Sequence, residues 1–227
     1  MDDTLLQQRD RDILLHVARY RLTTVEALHR LYLPDRGVEA AKSVLKRLNG
    51  SFLRSRPLFA RRRYYQLSSV STRLLGEPDE ASQPFGTHAL PTRYAVLQYC
   101  CMSHGPERRR MTRDEFANSF PELRSIPYGD YCIDIDRRVS RLARITVDLG
   151  GDYLRFLRKL REYLDRDSRV RGFRELIEQD AFVLVILTAE ETKRDAIVEA
   201  IQRDPLPGLL RVETVPDLIN FPRRPVS

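Results

Sequence analysis

Lys42, Ser43, Lys46 and Arg47 stand close together in the segment AAKSVLKRLNG, and Arg61, Arg62 and Arg63 stand in a row before Tyr64. Ammonium, hydroxyl and guanidinium groups are the donors that meet base edges and phosphate oxygens of a duplex. In the first segment Val38, Ala41, Val44, Leu45 and Leu48 recur three or four apart. That spacing predicts a helix with those five as its inner stripe and with Glu39, Lys42, Ser43, Lys46 and Arg47 facing out. Such a face fits a major groove about 12 Å wide. A strand through the arginine triplet would send alternate side chains to opposite faces, whereas a loop brings all three to a phosphate ladder. The candidate DNA-binding set is therefore Lys42, Ser43, Lys46, Arg47, Arg54, Arg61, Arg62, Arg63 and Tyr64. The bland alternative is a solvated basic face, with Tyr64 and Tyr65 as one core and one surface strand residue.

A second possible chemistry lies further along. Asp134 and Asp136 close one strand candidate, Asp148 closes the next, and Lys159 follows in a helix. Carboxylates at neighbouring strand ends suit a Mg²⁺ ion, which takes oxygen ligands and commonly only one or two from protein. The ordinary reading pairs these acids with Arg137, Arg138, Arg141 and Arg144. No GxGxxG, GxxxxGK[ST] or GxSxG pattern occurs, and His16, His29, His88 and His104 have no spaced partner. Cys100, Cys101 and Cys132 form no CxxC and read as buried free thiols. No catalytic residue, metal or cofactor is expected.

The charge balance favours the first chemistry. Residues 1–76 carry 15 Lys and Arg against 7 Asp and Glu, while residues 77–227 carry 24 against 25. The basic excess of the chain thus sits in its first third and points to a polyanion partner. With 42% hydrophobic and 31% charged residues, the chain is not disordered, collagenous or disulfide-stapled. Its longest uncharged apolar run, Ala181 to Leu187, is far shorter than the roughly 20 residues a membrane helix needs. A cytoplasmic protein with no membrane contact is expected.

The elements that hold the basic residues are legible from period and caps. A helix from Arg9 carries Ile13, Leu14, Val17 and Ala18; a second, opened by a Thr23-x-x-Glu26 capping box, carries Val25, Leu28, Leu31 and Tyr32 inward and stops at Pro34. The third is the helix above, and Asn49-Gly50 supplies its exit. Two strand-like pieces joined by a basic loop, between Ser51 and Leu67, then predict a hairpin. Glu77 to Pro91, with three prolines, is the linker candidate. After a helix over 92–102 and a charged turn over 105–110, Thr112-x-x-Glu115 opens a short helix. Strands are expected over 131–136, 145–149, 182–187 and 209–215, and helices over 152–165, 170–180 and 189–204, the last capped by Thr188-x-x-Glu191. The fold class is mixed α/β with three parts: residues 1–76, the linker 77–91, and an α/β domain over 92–227 for dimerisation or docking. Tyr153, Phe156, Leu157, Leu160 and Leu164 form a stripe that is either core or a dimer surface, with core favoured.

Three helices and a hairpin in sequence resemble a winged helix, with YRLTTVEALHRLYL similar to its helix-turn-helix entry, AAKSVLKRLNG to its recognition helix and RRRYYQLS to its wing. With YCIDID and ITVDLGGDYLRFLRKLREYL, the layout resembles the replication-relaxation family of mobile-element proteins, a winged helix followed by a restriction-endonuclease-like domain. The resemblance implies double-stranded DNA as partner, a homodimer, and a regulatory or accessory role in a mobile element or defence locus. In the related PD-(D/E)XK nucleases a lysine stands two residues after the second acid. Here Gly150 stands two residues after Asp148, so a non-catalytic second domain is expected; the alternatives are a metal-dependent nuclease and a winged-helix protein-interaction module.

Overall fold

The computed structural model describes residues 6–103, 107–136 and 139–221, and the chain divides into two compact units, Met1–Met102 and Ser103–Ser227. The protein is mixed α and β, with a two-stranded antiparallel sheet in the first unit and a five-stranded mixed sheet in the second. Among the described residues no helix is long and apolar enough to cross a membrane.

In the first unit α1 (Gln8–Tyr20) buries Ile13, Leu14 and Val17 completely and ends at Arg21, whose φ of 68° turns the chain. In α2 (Val25–Tyr32) the cap is Thr24, whose hydroxyl accepts from Ala27 N at 3.2 Å. The expected Thr23–Glu26 box is displaced by one residue because Thr23 exchanges two 2.9 Å backbone bonds with Tyr65. α3 (Val38–Leu48) buries Ala41, Val44, Leu45 and Leu48.

Two residues depart from their predicted inner stripes: Leu31 is 42% and Val38 41% exposed. Tyr32 packs against the core at the end of α2 in place of Leu31, and Val38 opens α3 before the helix reaches the core. β1 (Leu53–Pro57) and β2 (Arg63–Leu67) form the hairpin, in register from Leu53↔Leu67 to Pro57↔Arg63. The short α4 (Ser69–Leu74) follows, capped by Ser68.

The segment 77–91 is no free linker. Ala81 is buried, Gln66 Nε2 donates to Gln83 O at 3.2 Å, and the Phe85 ring lies 6.0 Å from that of Tyr64, so the segment straps one face of the hairpin. α5 (Ala89–Leu97) and the π-turn Gln98–Met102 then place Leu97 and Cys101 in a cluster with Tyr20, Leu22, Ala27 and Tyr64. This packing draws residues 92–102 into the first unit, and the division falls at 102/103.

The second unit is built on β3 (Glu107–Arg110), β4 (Asp130–Asp136), β5 (Val139–Val147), β6 (Phe182–Thr188) and β7 (Leu209–Thr214), neighbours in that order. The first three pair antiparallel and the last three parallel. α6 (Arg113–Ser119) opens with the predicted capping box, Thr112 and Glu115 satisfying each other's backbone. α7 (Tyr153–Asp167) and α8 (Arg171–Glu178) connect β5 to β6, and α9 (Glu191–Arg203) connects β6 to β7. Phe116, Leu160, Leu164, Phe173, Ile197 and Ile201 cover the sheet face that carries Leu142, Phe182, Leu184 and Ile186. The α7 stripe therefore belongs to the core, with Tyr153, Phe156 and Leu157 packed beside Leu160 and Leu164. Thr188 does not cap α9: it ends β6, fully buried, and Glu190 takes the cap position.

β3 occupies residues 107–110 of the segment read as a charged turn; Gly105 and His104 lie outside the described residues. Glu-Arg-Arg-Arg has no apolar alternation, yet Arg108 and Arg110 are buried through ion pairs. Arg108 Nη2 donates to Glu213 Oε1 at 3.1 Å and its Nε stands 3.9 Å from Asp134 Oδ1, while Arg110 Nε donates to Asp130 Oδ1 at 3.1 Å. Guanidinium groups enter an interior only with such partners.

Candidate nucleic-acid interface

A groove of about 780 Å³ runs in the first unit between the outer side of α3 and the hairpin. Val38, Lys42, Lys46 and Asn49 border it from α3 and its exit, Ser55, Arg61, Arg62, Arg63 and Tyr65 from the hairpin, and Val25 and Glu26 from the start of α2. Five cations and one carboxylate thus line one concave surface, an arrangement that concentrates positive potential.

The hairpin register decides which side chains reach the groove. Residues opposite one another share a face, so Ser55, Tyr65 and Arg63 lie on one side and Arg54, Arg56, Tyr64 and Gln66 on the other. Arg63 donates to the Ser55 hydroxyl and carbonyl, which holds its guanidinium over the strand pair. Arg61 and Arg62 belong to the turn, closed by Arg62 N to Phe59 O at 2.7 Å and Leu58 N to Arg62 O at 3.0 Å. Ala60 and Arg61, at φ 44° and 64°, occupy the two left-handed positions at which hairpin turns favour Asn and Gly. The Arg62 guanidinium lies 5.6 Å from the Phe59 ring centre, a cation–π contact. Turn and strand together bring all three arginines to one groove, where a strand alone would have separated them.

On α3, Lys42 and Lys46 line the groove and Ser43 is exposed on the same helix. Lys42 donates to Glu39 Oε1 at 2.6 Å, and that bond raises its pKa. Arg47 does not belong to the groove. Its guanidinium clamps Asp10 of α1 with bonds of 2.8 and 2.7 Å, and Asp10 is fully buried. This pair neutralises the buried carboxylate and ties α3 to α1, and the bond to Asp10 raises the Arg47 pKa.

Two more of the nine sequence candidates lie elsewhere. Tyr64 is 3% exposed, packed with Leu22, Ala27 and Leu97 beneath Phe85, and burial raises its phenol pKa. Arg54 is exposed on the hairpin face opposite the groove. Val25, Glu26, Val38, Asn49, Ser55 and Tyr65 also line the groove and are not among the nine candidates; the hairpin register, legible only once the turn is placed, is what selects Ser55 and Tyr65.

The acids of the second unit do not converge. Asp134 stands opposite Arg141 in the β4–β5 ladder, and Asp148 lies seven residues further along, a separation of about 23 Å at roughly 3.3 Å per residue. Asp134 is buried against Arg211 and Arg108, and Asp148 against Lys193, whose Nζ is 2.5 Å from its Oδ2 and donates to Gly151 O at 3.0 Å. Lys159 is exposed on α7, so the lysine at Asp148 comes from α9 instead. Arg141 donates to Asp180 O and Arg144 to Asp167, not to the predicted acids, and Arg137, Arg138 and the Asp136 side chain lie outside the described residues. Among the described residues no group of three His, Cys, Asp or Glu is placed to hold a metal ion. Cys101 and Cys132 are buried and Cys100 is half-buried, and burial pushes the Cys101 thiol up to about 12.

Comparison with protein-family models, curated proteins and solved structures finds no match to this chain.

Proposed function

We propose that the first unit is a winged helix that binds double-stranded DNA sequence-specifically, with α3 as recognition helix and the β1–β2 hairpin as wing. The observation that carries this reading is the groove between them, lined by Lys42, Lys46, Arg61, Arg62 and Arg63 against the single carboxylate of Glu26. Lys42, Lys46 and Ser43 approach base edges, and the three arginines hold phosphates. The left-handed φ of Arg61 supports it further, since a long cationic side chain there costs conformational energy that glycine would avoid. In this proposal the chain is a regulator or accessory factor at its DNA site, of a mobile element or a defence locus. The second unit serves in docking or in a homodimer, through a surface other than the α7 stripe. The nuclease alternative loses its support because the acids it needs lie far apart and are neutralised by Arg108, Arg211 and Lys193.

The test is a fluorescence-anisotropy titration of labelled duplex across a salt series, with the intact chain and with Arg61, Arg62 and Arg63 replaced by alanine. The proposal requires tight binding by the parent and, in the alanine variant, a log–log salt slope lower by about 0.9 for each phosphate no longer neutralised. Equal binding by both proteins, or binding by neither, overturns it and turns attention to acidic protein partners.

A further inference from the structure

Val38, Lys42 and Lys46 recur every fourth residue, one row along α3, and all three border the groove. The two lysines serve the proposed function, but an isopropyl group binds no phosphate. Val38 is 41% exposed, whereas the other apolar groove residues, Val25 and Tyr65, pack in part against the core. Val38 therefore gains little from the interior of its own unit and keeps apolar surface in water among cations. The residue before it, the cap Gly37, carries no side chain, and apart from its own chain neighbours no atom lies within 4 Å of where a Cβ on it would stand, so the approach to Val38 from that side is open.

We infer that Val38 is a specificity-determining residue that meets the 5-methyl group of a thymine in the major groove. The inference rests on the duplex-binding reading and adds which base feature is read. Thymine alone among the four bases presents an apolar group on that edge, and apolar side chains contact it. Against a cytosine amino group or a guanine carbonyl the same isopropyl group would strip water and return no hydrogen bond. A β-branched residue in a helix has one dominant rotamer, so its methyl groups are held in place before binding and little freedom is given up when the duplex arrives. Lys42, one turn on in the same row, then donates to a neighbouring base edge or phosphate.

The experiment starts from duplexes selected by the full chain out of a random pool. Each thymine of the bound site is replaced singly by uracil, which removes only the methyl group. At one position the parent protein loses about fourfold in affinity, the equivalent of ~0.8 kcal/mol for one methylene-sized apolar group. Val38→Ala, an exposed change to a better helix former, binds the thymine and uracil duplexes equally at that position. If no position distinguishes uracil from thymine, or if Val38→Ala still does, the inference is overturned while duplex binding stands. If the chain selects no duplex at all, the proposed function falls and this inference with it.

Discussion

The chain contains two arginine triplets with opposite fates. Arg61, Arg62 and Arg63 are exposed and line one groove, one in a strand and two in the turn before it, where Arg61 is left-handed. Arg108, Arg109 and Arg110 form an edge strand: the first and third are buried against Glu213, Asp134 and Asp130, and Arg109 reaches Glu115 at the surface at 2.9 Å. The difference lies in what surrounds them. Acids on β4 and β7 stand where the second triplet turns inward, whereas Glu26 is the one acid lining the groove of the first. A run of cations thus stays exposed on a concave surface only where the fold withholds counter-charges.

The largest effect separating the two regions is on stability. Asp134→Ala leaves the buried Arg108 and the half-buried Arg211 sharing Glu213, and removing one partner of a buried ion pair costs about 3–5 kcal/mol. Urea unfolding checks this, and a loss below ~1 kcal/mol would show that the second triplet is not anchored as described.

A nearly equal effect is tied to pH in the first unit. Burial, with a smaller contribution from Arg19, lowers the pKa of His16 from 6.5 to about 4. The folded state therefore binds fewer protons than the unfolded state between those values. The contribution of His16 to stability is whole above pH 6.5 and falls by about 3 kcal/mol as pH drops to 4. Unfolding midpoints across that window, compared between the parent and His16→Gln, give the slope and its loss.

A smaller effect tests the turn. Arg61→Gly relieves a left-handed arginine and, set against the added freedom of the unfolded chain, stabilises by about 0.5 kcal/mol while lowering the DNA salt slope by about 0.9. Opposite signs in stability and binding are the signature of a residue kept for its ligand; a variant that loses stability would place Arg61 among structural residues. Glu39→Gln has the smallest effect, roughly a two- to threefold gain in DNA affinity by anisotropy, since it frees Lys42 from its bond of 2.6 Å.

The helices of the first unit were legible because apolar residues at helical spacing report local physics, and the Thr112–Glu115 box made α6 of the second unit legible for the same reason. The parts that were not legible depend on distant partners. β3 has no apolar pattern, and its place in the sheet follows from acids twenty or more residues away in sequence. Arg47 matches Lys46 in any helical reading, yet Asp10 on another helix claims it. Tyr64 and Tyr65 are indistinguishable by type, and only the register with Arg56 and Ser55 sends one beneath Phe85 and the other into the groove. Segment 77–91 has a linker's composition, but the buried Ala81, the Phe85 ring on Tyr64 and the Gln83 carbonyl, which accepts from Gln66, hold it on the hairpin.

The most direct measurement sets one triplet against the other in a single binding experiment. Duplex affinity is followed across a salt series for the parent, for the variant with alanine at Arg61, Arg62 and Arg63, and for Arg109→Ala, the exposed member of the second triplet. The account predicts that the first variant loses affinity and up to about 2.7 in salt slope, three phosphates at roughly 0.9 each, while Arg109→Ala binds as the parent does. Equal losses in the two variants, or none in either, would contradict the claim that the groove of the first unit is the DNA-binding surface.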